Sequence, residues 1–217
     1  MIRQFSSGEV LLLLEAARWT VLLSCIAFAG GGVMGLLIAV LRTSGNRAAA
    51  LLAYLIIEIF QGTPLLLQLF IVFFGPSLIG VSLDAWTAVS IGLTLYTGAF
   101  LGEIWRGSIE VVPHGQWEAA AALGLRYAPK MFLIVIPQAV RIAIPPTIGF
   151  LVQLIKGTSL ASIIGFVELT RAAQVINNAT FRPFAIFGLV ALAYFLICWP
   201  LSTCSRYMER RLAVASR

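Results

Sequence analysis

Apolar runs long enough to cross a bilayer dominate this chain, and the polar residues interrupting them are unevenly spread. A spanning helix takes about 20 predominantly apolar residues. Runs over 19–41, 49–74, 85–104, 131–154 and 184–204 each read as one, which makes the chain all-α with about five spans. Residues 1–18 are mixed, because Glu15 and Arg18 break the run that follows Val10. They read as a terminal segment on the outer side, with 9–19 as a short helix lying in the interface. Residues 19–217 form the membrane domain, and no cleavable leader precedes it, so the first span serves as the insertion signal.

Within these runs, small residues recur at close-packing spacing. Gly31 and Gly35 sit four apart in the first span, and Gly98 and Gly102 four apart in the third. Each pair lets a neighbouring helix approach closely. The second span is interrupted by Glu58, Gln61, Thr63, Pro64 and Gln68. On a continuous helix, positions 58, 61, 65 and 68 share one face, and that face is too polar for lipid. It lines a water-filled path or bonds a neighbouring helix. Pro64 removes a backbone donor and predicts a kink. The fourth span holds Pro137, Pro145, Pro146, Arg141 and Gln153, and must be shielded by protein or line a cavity. Arg141 either meets a substrate carboxylate or pairs with Glu58 or a carbonyl, and the second reading is preferred because buried charges need partners.

The stretches between spans carry the charge. Residues 105–130 hold Arg106, Glu110, Glu118, Arg126 and Lys130, with an Ala-rich helix over 117–123 ending at Gly124. Glu103 and Arg106, three apart, form an ion pair. Residues 155–182 are polar again, with a short helix over 166–176. A basic tail follows the last span. Arg42, Arg47, Arg106, Arg126, Lys130 and the tail arginines fall on one side of a five-span chain, against Arg3, Arg18, Lys156, Arg171 and Arg182 on the other. The positive-inside bias then puts the amino terminus outside and the carboxyl terminus in the cytoplasm.

Composition narrows the class. Of 217 residues, 60% are hydrophobic and 11% charged, and the mean hydropathy is +0.96. A soluble domain carries about 25% charged residues, so soluble, disordered and disulfide-scaffold classes are excluded. The net charge of +6 suits acidic lipid headgroups rather than nucleic acid. Cys25, Cys198 and Cys204 read as small hydrophobes, and the single His114 cannot build a metal site of ordinary ligand count. There is no Gly-x-x-x-x-Gly-Lys-Ser/Thr phosphate cradle and no nucleophile–base set, so no enzyme chemistry or cofactor is expected in this chain.

The loop motif sharpens this reading. Glu118-Ala119-Ala120, then Gly124, then Ile134-Val135-Ile136-Pro137 resembles the EAA loop of bacterial ABC importer permeases, with Ile136 in the usual Leu place. Gly62-Thr63-Pro64, Tyr96-Thr97-Gly98, Val112-Pro113-His114-Gly115, Pro137-Gln138-Ala139 and Lys156 with Thr158-Ser159-Leu160 resemble the polar amino acid subfamily. Two positions depart from it. Gln61 stands where the family often has Arg, and Gly157 where it often has Asp.

The resemblance implies a type I importer permease in the bacterial inner membrane, carrying polar amino acids. It implies two ATPase subunits that bind ATP-Mg, a second permease chain, identical or paralogous, and an outside amino-acid-binding protein. On this reading Glu118, Ala119, Ala120, Gly124 and Arg126 couple to the ATPase. Glu58, Gln61, Thr63, Gln68, Arg141 and Gln153 are the candidate path residues. The alternative is a proton-coupled carrier using Glu58, in a fold whose halves would be inverted repeats, and none is visible.

Overall fold

The computed structural model describes residues 7–215, which form nine α-helices and no strand. They are α1 (Ser7–Thr43), α2 (Arg47–Gln61), α3 (Leu65–Phe74), α4 (Ala85–Glu110), α5 (His114–Ala122), α6 (Tyr127–Lys130), α7 (Ile136–Gly157), α8 (Leu169–Thr180) and α9 (Pro183–Ala215).

The packing of α1 on α4 sets the architecture. Gly31 lies against Thr97 and the Gly98 backbone, Gly35 against Leu101 and Gly102, and Gly102 against Ile38. The two four-residue glycine pairs are therefore one interface. At its far end Trp19 meets Trp86 edge to face, with ring centroids 5.6 Å apart. Contacts advance together along both helices, so α1 and α4 run parallel. Parallel neighbours force the chain to return across the membrane between Thr43 and Ala85. The segment from α2 to α3 is thus a crossing and not a hairpin that returns to its own side, and the spans number five.

That crossing is broken rather than kinked. Helices α2 and α3 meet at 103° around Gly62-Thr63-Pro64. Pro64 has extended dihedrals and caps α3, and the Gly62 N–H closes α2 on the Glu58 carbonyl. The single polar face expected over 58, 61, 65 and 68 does not exist, because the helix carrying it ends at Gln61. Gln68 turns back into the break. Its amide donates to the Phe60 carbonyl (2.8 Å), the Thr63 carbonyl (3.0 Å) and Thr63 Oγ1 (2.9 Å). The Phe60 carbonyl has no helical donor, because Pro64 four residues on lacks an N–H, and lipid offers no replacement. Gln68→Leu is therefore expected to destabilise the folded protein by about 2–3 kcal/mol, read as a lowered melting temperature in detergent.

Other boundaries shift for similar reasons. The separate interfacial helix expected over 9–19 does not form; those residues are the first turns of α1, which runs unbroken through the expected boundary at residue 18. At about 1.5 Å per residue its 37 residues exceed a hydrocarbon core of about 30 Å. Helices α4 and α9 also outrun the expected spans.

Helix α7 is preceded by a wide turn, Met131–Val135, in which the Ile136 N–H reaches back to the Met131 carbonyl. Pro137, which has no N–H, follows in the first turn of α7. Pro145 and Pro146 lie inside α7, and Ser205 Oγ of α9 donates to the Pro145 carbonyl at 2.8 Å. Trp105 Nε1 donates to Thr147 Oγ1 at 3.0 Å, and Phe100 stacks on Phe150, so α7 runs antiparallel to α4. The helix expected over 166–176 forms slightly later, as α8, after a tight 3₁₀ segment Thr158–Ile164.

Candidate functional site: the turn between α4 and α7

Helix α4 ends at Glu110, and Pro113 starts α5. The Ala-rich helix was expected over 117–123 and begins earlier, at His114. At its other end the Leu125 N–H donates to the Ala120 carbonyl (3.1 Å) and the Gly124 N–H to the Ala121 carbonyl (2.9 Å). Gly124 has φ +73. This is a Schellman cap, whose left-handed residue strongly favours glycine. Arg126 then caps α6, and Tyr127 OH donates to the Thr43 carbonyl at 2.6 Å, tying the turn to the end of α1.

One side of α5 is anchored. Ala120 is buried, and Trp117 packs beside Val112, Met131, Val135 and Ala139. Gln138 Nε2 of α7 donates to the Ile134 carbonyl at 2.8 Å and approaches Gln116 Oε1 at 3.4 Å. The other side is open: Glu118, Ala119, Ala121 and Ala122 are exposed, and Leu123 is 78% exposed. Arg126 is exposed beside them. Within the expected coupling set, then, Ala120 holds the helix, Gly124 turns the chain, and Glu118, Ala119 and Arg126 form the free face. A cavity of about 620 Å³ lies behind α5, lined in part by Thr43, Glu110, His114, Trp117, Tyr127 and Met131.

The end of α4 is stiffened by charge. Arg106 pairs with Glu103 as expected, and also with Glu110, one turn in each direction.

The candidate path residues do not converge within this chain. Glu58, Gln61 and Thr63 are exposed around the α2–α3 break, Thr63 Oγ1 donating to the Ile59 carbonyl at 2.7 Å. Gln68 is 6% exposed inside the break. Arg141 and Gln153 are exposed on α7. Among the described residues Arg141 forms no ion pair, so of the two expected partners, Glu58 or a carbonyl, Glu58 is not one. Arg141 and Glu58 lie on different helices that share no buried cluster. The Gly157 departure sits at the end of α7 beside α3, where an added Cβ would stand 3.2 Å from Leu65 Cδ2. Among the described residues no group of His, Cys, Asp or Glu is placed to hold a metal.

Sequence reasoning missed Glu168. It is fully buried, its Oε1 accepting from the Arg171 N–H and its Oε2 from Tyr194 OH, both at 2.9 Å. Burial outweighs those bonds and holds its carboxyl above the ordinary glutamate range. At the surface end of α4, Asp84 shows the opposite case: its bonds from the Thr87 hydroxyl and N–H keep it below the usual carboxylate value. A Glu one residue ahead of the α8 run was the only available signal.

The model of binding-protein-dependent transport system inner membrane components matches residues 31–214. The chain belongs to that family. It is 38% identical over 200 residues to a probable amino-acid ABC transporter permease, YckA, of Bacillus subtilis (strain 168), covering 92% of this chain and 88% of the relative. It superposes with TM-score 0.90 and 33% identity on a chain from the crystal structure of an amino acid ABC transporter with histidines, covering 97% of this chain and 100% of that one. A chain of the inward-facing MetNI methionine ABC transporter shares the fold, with TM-score 0.77 at 18% identity, covering 95% of this chain and 99% of that one. The fold is that of type I ABC importer permeases. None of these descriptions names a proton-coupled carrier, and the Glu58 alternative gains no support.

Proposed function

We propose that this permease forms half of the path of an ATP-driven importer for polar amino acids, with α5 as its contact to a separate ATPase. The observation that carries the coupling reading is α5 itself: one side fixed to the spans, the other bare and made of small residues around Glu118. A bare alanine face permits close approach, and Glu118 supplies a charge for a basic or amide-rich groove on the partner. The family and the relatives' descriptions support the transport reading.

In the assembly two permease chains face each other, each seated on an ATPase subunit that holds ATP-Mg. An outside binding protein delivers the amino acid, and lipid covers the remaining apolar surface. Closure of the ATPase pair draws the two α5 helices together. Their tie through Tyr127 to α1, and through the wide turn to α7, carries that motion into the spans. The chain supplies no hydrolysis, and nucleotide stays with the partner. Glu58, Gln61, Thr63, Arg141 and Gln153 would meet the path only where the second permease chain completes it, with Gln68 holding the break that shapes it.

The amino terminus is outside and the carboxyl terminus cytoplasmic. In a chain with Cys25, Cys198 and Cys204 replaced by alanine, Ala121→Cys is expected to react with a membrane-impermeant maleimide in inverted vesicles and not in intact cells. The reverse labelling would overturn the orientation. For transport itself, vesicles holding the complete complex should accumulate an amino acid only with ATP inside the compartment that faces α5. Uptake that a protonophore abolishes at once while ATP persists would favour the Glu58 carrier instead.

A further inference from the structure

The outer ends of α1, α8 and α9 meet at one buried polar knot. Thr20 of α1 accepts from the Leu169 N–H at 3.2 Å and itself donates to the Ala16 carbonyl. Glu168 caps α8 through the Arg171 N–H and accepts from Tyr194 OH of α9, which also lies 3.3 Å from Thr170 Oγ1. Thr20 and Glu168 are fully buried, and among the described residues no cation pairs with Glu168. An unpaired carboxylate at such a place is costly, and an alanine or leucine would satisfy packing alone. The apolar cluster beside it (Leu13, Ala16, Leu169, Ala173, Ile186, Val190) already joins the same three helices.

Tyr194 also packs beside Val152, Ile155 and Cys198 between α7 and α9. It lines a cavity of about 490 Å³ between α7 and α9, with Lys156, Phe195, Cys198, Ser202 and Arg206. Lys156 stands there in the last turn of α7, where it is exposed. One side chain thus connects the α8 cap to the wall of a cavity that also carries Lys156 and Arg206.

We propose that Glu168 is a positioning residue for transport: it holds the Tyr194 side chain, which lines the cavity, and clamps α8 to α9, so that movement of α8 and the shape of the cavity are linked. This rests on the transport reading above. Glutamine can reproduce both links, its Oε1 accepting from Arg171 N–H and its Nε2 donating to the Tyr194 oxygen, whereas alanine reproduces neither.

The test uses the complete complex in vesicles and a radiolabelled mixture of the twenty L-amino acids, with ATP-driven uptake expressed per folded complex. Glu168→Ala and Tyr194→Phe are each expected to lower uptake about tenfold, and the double variant by about the same factor rather than a hundredfold, because both remove one link. Glu168→Gln is expected within about twofold of wild type. Hydrogen exchange, which needs no substrate, should show the first-turn amides of α8 exchanging about tenfold faster in Glu168→Ala and unchanged in Glu168→Gln. Multiplicative losses in the double variant, normal uptake by Glu168→Ala, or unaltered α8 exchange would overturn the proposal. Absence of ATP-driven uptake by the wild-type complex would overturn the transport reading along with it, while altered exchange would show that the clamp itself exists.

Discussion

Gly35→Val should destabilise this protein strongly. An added Cβ at Gly35 would stand 2.9 Å from Leu101 Cβ, 3.0 Å from the Gly102 nitrogen and 3.1 Å from the Gly98 oxygen. Two of those atoms are backbone and cannot rotate away, so α1 and α4 must separate. The interface they form runs from the Trp19–Trp86 contact to the Ile38–Gly102 contact, and α2, α3 and α7 pack against it. Overpacking of this kind costs about 3 kcal/mol. In a chain of this size that lowers the melting temperature by about 6–12 °C, with a matching loss of extractable monodisperse protein. Gly98→Ala should also be costly, because an added Cβ would stand 2.8 Å from Met34 Cβ, which no rotamer change moves. Gly188→Ala, with nothing within 4 Å, should leave stability unchanged. Equal melting of the Gly35 and Gly188 variants would remove the close-packed interface from the account.

Gly124→Val should separate insertion from coupling. Gly124 has φ +73 in open space, so the cost is in the backbone and not in a clash. Left-handed geometry costs an ordinary residue about 1–2 kcal/mol, and a β-branched one resists it most. That strain is too small to unfold five spans held by the α1–α4 interface. It is large enough to unwind the Schellman cap and swing the face of Glu118 and Ala119. Expected are normal membrane levels with ATP-linked uptake reduced at least about tenfold, and near-normal uptake for Gly124→Asn, which tolerates this geometry. Normal transport by the valine variant would show that the shape of this turn does not govern coupling.

The membrane class and the turn were legible because their signals are local. Apolar runs of span length, glycines four apart, and Glu118-Ala119-Ala120 with Gly124 each act through neighbouring residues. Where distant residues decide, the reading strayed. Pro64 was visible, but the 103° break depends on Gln68 reaching back to Phe60 and Thr63, and that no periodicity reveals. A polar face computed across residues 58 to 68 presumes a helix that Gly62 and Pro64 end. The interfacial helix over 9–19 dissolved into α1 because two charges in a turn do not stop a helix whose other faces pack on α8 and α9. Arg141 was assigned a partner on charge alone, and Glu168 was passed over because its side-chain partner Tyr194 lies far away in sequence.

The most direct test of the central claim is the mass of the intact assembly, extracted in mild detergent through a tag on this chain expressed with its native partners. The account predicts two ATPase subunits bound to two permease chains, lost together when Gly124→Val distorts α5. This chain recovered alone or only with copies of itself, under conditions that preserve such assemblies, would contradict it.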